Sequence, residues 1–152
     1  MKYYQLNKED YIEEADLHIV HIYNKTWSET YKDSLQLLIN YFHKEYKWNE
    51  MFTIDDAINR IQTGDNLFLL YINNRVIGYV WFKELDKDTC FGYNLYVTKK
   101  IDRPKSAPKW FYNKVSGIML KNYKTIEVEI EDWNDIVFDL VESIGYKKIK
   151  KH

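Results

Sequence analysis

The chain has 152 residues, a formal net charge of −1, and 45% hydrophobic and 17% aromatic residues. That size and composition predict one domain spanning residues 1–152 with a packed core, and exclude a disordered chain. One cysteine, Cys90, excludes an intramolecular disulfide and a cysteine metal cluster.

No apolar run reaches the roughly 18–20 residues of a membrane span. Met1–Asn7 is not followed by the apolar stretch of a signal peptide. A cytoplasmic protein with no membrane partner is expected. The charges are unevenly placed: residues 1–98 carry 10 Lys/Arg against 15 Asp/Glu, and residues 99–152 carry 12 against 8. An acidic front suits a cationic substrate and a basic back suits an anionic ligand, although ordinary surface variation gives the same asymmetry.

In chain order, Tyr11, Ala15, His18 and Ile22 recur at helical spacing and predict a first helix. Tyr31, Leu35, Leu38, Phe42 and Tyr46 give an apolar face to a second, over 29–47. Thr53 reads as the N-cap of a helix over 54–62, with Asp56 completing a capping box and Gly64 just past its end. The runs 66–72 and 76–82 are β-branched and aromatic, and Asn73-Asn74 between them marks a hairpin. A turn at 86–89 leads to a strand over 91–97, completing a meander.

Lys99–Lys109 then carries five cations and one anion ahead of a helix over 109–123. A helix start behind a cationic loop holds phosphate well, because N–H groups, dipole and side-chain charge all favour the anion. Residues 125–131 alternate as a strand with one solvated face, 135–144 read as a helix ended by Gly145, and 146–149 as a last strand. The fold class is α/β, with helices front-loaded and a mostly antiparallel mixed sheet.

This order resembles the GCN5-related N-acetyltransferase (GNAT) family over roughly residues 50–149. The hairpin 67–81 resembles that family's second and third strands, with Ile77-Gly78-Tyr79 as its hydrophobic-Gly-aromatic step. Leu95-Tyr96-Val97 resembles the end of its fourth strand, and Arg103-Pro-Lys-Ser-Ala-Pro108 stands at its acyl-CoA pyrophosphate loop. Asn134–Tyr146 resembles its closing Asn…Glu-x-x-Gly-aromatic segment.

The resemblance implies acetyl-CoA as acyl donor, held in a gap between the fourth and fifth strands, and direct attack of an amine on the thioester. It places a polarising amide near Tyr96 or Val97 and the pantetheine arm along Leu95–Val97. The pyrophosphate falls on Arg103, Lys105, Ser106 and Ala107, with Asn134 near the cofactor. Tyr93, on the fourth strand, is a candidate proton donor to the leaving thiolate, since a phenol titrates near pH 10 (about 10 as a reference). Packing is its competing reading.

The chain departs from the family in Pro104 and Pro108, which supply no N–H to phosphate, and in Val141, which stands where the family often has a tyrosine acid. These departures define an alternative, a GNAT-fold interaction module without catalysis.

Other constellations read as structural. Glu84 and Asp88 read as solvated, and Cys90 lacks a histidine base. His18 and His21 lack a third ligand, so no metal site is expected. The lysines at 147, 148, 150 and 151 form a basic tail, and the five tryptophans are too dispersed to be a stacking platform. The expected partner is an amine acceptor, small molecule or peptide. The overall charge argues against nucleic acid, and a homodimer is left open.

Overall fold

The computed structural model describes residues 1–5, 16–45, 53–130 and 134–149. Among these, the elements run β1 (Leu17–Ile22), α1 (Lys32–Glu45), α2 (Ile54–Gln62), β2 (Asn66–Ile72), β3 (Arg75–Asp86), β4 (Thr89–Val97), α3 (Ala107–Met119), β5 (Thr125–Val128) and α4 (Asp135–Ser143). The strands form one sheet in the order β1-β2-β3-β4-β5. The first four are antiparallel neighbours, and β5 joins β4 in parallel. The parallel step requires a crossover, which α3 supplies.

Local chemistry accounts for most of these boundaries. Thr53 Oγ1 accepts from Asp56 N at 3.2 Å and Asp56 Oδ2 accepts from Thr53 N at 3.0 Å, so the predicted capping box starts α2. Asn73 takes a φ of 53° in the two-residue turn that pairs Ile72 with Arg75. Helix α3 opens at Ala107, two residues before the expected start. Pro108 is tolerated in its first turn because an N–H there has no intrahelical partner anyway.

Three sequence expectations are corrected. Leu17–Ile22 is a strand and not the end of a helix; residues 11–15 of that prediction lie outside the described residues. Helical spacing misled there because Leu17 and Ile22 face opposite sides of a sheet, and the β-branched Ile19, Val20 and Ile22 pack well in one. The fifth strand ends at Val128 rather than 131, and Tyr146–Ile149 forms no strand. The lysines at 150 and 151, and Trp48 and Trp133, lie outside the described residues.

The sheet is covered on both faces. Leu35, Leu38 and Ile39 of α1 and Ala57 and Ile61 of α2 pack on Leu67, Leu69, Tyr79 and Trp81. On the other face Phe111, Tyr112, Val115 and Met119 of α3 and Val141 of α4 pack on Phe68, Val80, Phe82 and Cys90. Trp81, Tyr79, Phe68, Phe82 and Phe111 are fully buried, and each large apolar side chain so buried contributes about 1.5–3 kcal/mol.

Candidate active site

The site begins where two neighbouring strands part. β4 pairs with β5 only from Thr89↔Thr125 to Gly92↔Val128. β4 then runs on to Val97, held by β3 alone among the described residues. The β4 backbone from Tyr93 to Val97 therefore borders a gap on its β5 side. Main-chain donors and acceptors along such a border are available to an extended ligand, as at any open strand edge.

A bulge shapes this border. Opposite Tyr79 and Trp81 of β3 stand Tyr96 and Tyr93, one residue too many on β4, and Asn94 has a φ of 52°. An inserted residue bends the strand and releases a peptide from the ladder. It also sets Tyr93 and Tyr96 on the same face, toward α1 and α2, and Leu95 and Val97 on the other. Thr98 N donates to Ile77 O at 2.8 Å. Since successive amides of a strand point to opposite sides, the Val97 N–H faces the gap and that of Tyr96 faces β3.

The loop after β4 is braced from within. Thr98 is buried and its hydroxyl donates to Glu45 Oε1 at 2.9 Å. Arg103 Nε donates to Thr98 O at 3.0 Å and Nη1 to Pro104 O at 3.3 Å. Burial lowers the Arg103 pKa, and the nearby Glu45 charge opposes that shift. Two guanidinium donors are thus spent on holding the loop closed.

Ala107 is buried and its N–H donates to Pro104 O at 3.0 Å. Neither its side chain nor that amide meets an anion at the surface. Lys105, Ser106 and Lys109 are exposed beside the α3 start. Asn134 caps α4, its Oδ1 accepting from Val137 N at 3.3 Å.

Tyr93 is stacked between Trp81 and Phe91, at centroid distances of 6.2 and 6.3 Å. Its hydroxyl donates to Asp65 Oδ2, and the Arg60 guanidinium lies 5.3 Å from its ring centroid. Burial and the Asp65 carboxylate raise the Tyr93 pKa. A phenol in this setting holds its proton and aims it at Asp65. Sequence reasoning missed Asp65 because its partner lies 28 residues on; the only local sign was an acidic residue directly after the helix-ending Gly64.

Other candidates fall away from the gap's open end. Glu84 accepts from Tyr123 at 2.9 Å, and Asp88 approaches Lys124 at 3.9 Å on the surface. Burial pushes the Cys90 thiol up to about 11, so it is a poor nucleophile near neutrality. His18 stacks on Tyr71 on one sheet face, and His21 stacks on Phe68 on the other while pairing with Asn66 at 2.8 Å. Among the described residues no cluster of His, Cys, Asp or Glu could hold a metal, and no helix is long and apolar enough to cross a membrane.

The sequence matches no family model and no curated protein. The fold does have counterparts among solved structures. An aminoglycoside acetyltransferase, meta-AAC0020, from an uncultured soil metagenomic sample in complex with sisomicin superposes with a TM-score of 0.69 at 13% identity, covering 91% of this chain and 95% of that one. A ribosomal-protein-alanine N-acetyltransferase from Brucella melitensis biovar Abortus 2308 gives 0.67 at 11% identity, covering 90% and 95%. AAC(6')-Iy in complex with the bisubstrate analog CoA-S-monomethyl-acetylneamine gives 0.66 at 11% identity, covering 90% and 94%. The chain therefore has the GNAT acyltransferase fold that its sequence resembles, at a large sequence distance.

Proposed function

We propose that the protein is an N-acetyltransferase that uses acetyl-CoA and an amine acceptor. The observation that carries this reading is the parting of β4 and β5 after four paired residues, beside a bulge and a cationic helix start. Acetyl-CoA, when bound, supplies an acetyl group activated as a thioester.

The chain's own groups fit such a ligand. Leu95, Tyr96 and Val97 offer strand backbone to the pantetheine amides, and the Val97 N–H is the donor aimed into the gap, suited to polarise a carbonyl oxygen. Lys105 and Lys109 supply charge at the α3 start, with Ser106 between them, in place of the amides that Pro104, Pro108 and Ala107 do not provide. Arg103 keeps this loop in shape, and Asn134, which caps α4, is the further residue that the family resemblance sets near the cofactor. On the acceptor side, the Tyr93 hydroxyl gives its proton to Asp65, so in place of the donor to the leaving thiolate that the family resemblance suggested, Tyr93 would relay a proton from an incoming ammonium to Asp65. That exchange leaves the phenol neutral and the amine ready to attack.

Two structural counterparts carry sisomicin or an acetylneamine analog and a third is a ribosomal-protein-alanine N-acetyltransferase, so the acceptor class spans small-molecule amines and peptides. A cytoplasmic location, which supplies acetyl-CoA, completes the reading. Titration calorimetry with acetyl-CoA, and with CoA lacking the acyl group, tests it. Micromolar binding of both is expected, followed by CoA release with an amine panel. Absence of binding would leave the interaction-module alternative.

A further inference from the structure

The C-terminal end of α1 reaches the chain where it leaves β4. Side chains of α1 meet the alternate residues 96, 98 and 100 there. The Phe42 ring stands edge-on to Tyr96 with centroids 5.4 Å apart, Glu45 Oε1 accepts from the Thr98 hydroxyl at 2.9 Å, and the Lys100 ammonium lies 5.7 Å from the Tyr41 ring centroid. The helix end thus grips the segment that carries Val97 into the loop ahead of α3.

Thr98 is the centre of this grip. It is fully buried, and each of its polar groups is engaged. Its N–H donates to Ile77 O at 2.8 Å, and its carbonyl accepts from Arg103 Nε at 3.0 Å. Its hydroxyl donates to Glu45 and accepts from Lys100 N at 3.1 Å. One residue therefore ties together β3, α1 and the loop that Arg103 opens. Glu45 is an unexpected residue for its place, because the carbonyl end of a helix disfavours an anion. Its neighbours His43 and Lys44 are of the favoured kind. The Glu45 carboxylate is compensated from outside the helix, by the Thr98 hydroxyl and by the charge of Arg103.

We propose that Glu45 is a positioning residue for the cofactor: acting through Thr98 and Arg103, it sets the loop before α3 and couples order at the end of α1 to the binding of CoA. The inference rests on the acetyltransferase reading above, which puts the pyrophosphate on that loop. Glu45 holds Thr98, the Thr98 carbonyl holds Arg103, and Arg103 closes the loop on Pro104 O. Coupling of this kind runs both ways: what the end of α1 contributes to CoA affinity, bound CoA returns to α1 as order. Tyr41 and Phe42 pack on the same face of the sheet as Tyr93. Bound CoA thereby steadies the helix on the acceptor's side before the amine arrives.

The test sets Thr98→Val, Thr98→Ser and Glu45→Ala beside wild type, read by calorimetry with CoA and by amide hydrogen exchange at 42–45. Glu45→Ala removes an anion from the wrong end of a helix and introduces a good helix former, so weaker CoA binding there would not reflect loss of α1. CoA affinity should fall about tenfold in Thr98→Val and in Glu45→Ala, and no further in the double variant, since the two residues act as one unit. Thr98→Ser keeps the hydroxyl and should stay close to wild type. Saturating CoA should slow exchange at 42–45 in wild type and leave it unchanged in Thr98→Val. Wild-type CoA affinity in folded Glu45→Ala would overturn the coupling alone, whatever Thr98→Val does. A wild type that binds no CoA would overturn the acetyltransferase reading together with it.

Discussion

Tyr93 and Cys90 show how one sheet treats two ionisable side chains differently. Tyr93 has a charged acceptor in Asp65, and a hydrogen bond to a carboxylate contributes about 1.5–3 kcal/mol net. Tyr93→Phe should lower turnover at least about tenfold, roughly 1.4 kcal/mol of transition-state stabilisation, while acetyl-CoA affinity stays near wild type. Steady-state kinetics beside calorimetry checks this, and equal turnover would remove the proton exchange from the mechanism.

Cys90 has no such partner, and burial alone lifts it from 9.0 to about 11 in the folded chain. Because the folded value is the higher one, its contribution to stability is complete below the unfolded pKa and is lost as pH rises toward the folded one. The urea midpoint should therefore fall between about pH 9 and 11, and the thiol should resist alkylation at pH 7.5 until the chain unfolds.

At the level of elements, close backbone approach decides more than propensity. A Cβ on Gly78 would stand 2.7 Å from Tyr96 O, against the register shift in β4. Gly78→Ala should displace the bulge, destabilise the protein by about 1–3 kcal/mol, and weaken acetyl-CoA binding. Retained affinity in a folded variant would show that the bulge does not position the ligand. The loop before α3 is exposed at Ser106. Ser106→Asp sets a like charge against pyrophosphate and should weaken acetyl-CoA binding at least about tenfold, roughly 1.4 kcal/mol. Thr53→Ala removes one half of the capping box far from the gap; it should cost about 0.5–2 kcal/mol of stability and leave turnover unchanged.

The elements also divide by how they could be read. The capping box, the Asn73 turn and the hairpins were legible because turn and cap chemistry is local, and the order of strands followed from them. β1 was not, because a six-residue apolar run fits two periods and its partner β2 lies some 50 residues away. Of the candidate site, residues 95–97 and 103–107 could be proposed from order along the chain. Sequence could not show that Arg103 and Ala107 would be taken up by loop carbonyls, or that Asp65, from the turn between α2 and β2, would reach the Tyr93 hydroxyl. Those placements depend on tertiary packing alone.

For the molecule as a whole, the two-layered cover of the sheet puts Tyr93 on the α1/α2 face and Tyr112 on the α3/α4 face. The uneven charge of the chain is compatible with this division, since the cations near α3 follow the gap's open end. The four-residue seam between β4 and β5 has a consequence for assembly in time. The β2–β3 and β3–β4 hairpins close across two residues, whereas Thr89–Gly92 must find Thr125–Val128 after α3 has formed. Distant pairing is slow to nucleate and early to open. Amide hydrogens at 125–128 should exchange with solvent well before those at 67–70. Ligand wedged beside the seam should slow that exchange, making the last part of the fold to form the first to register occupancy.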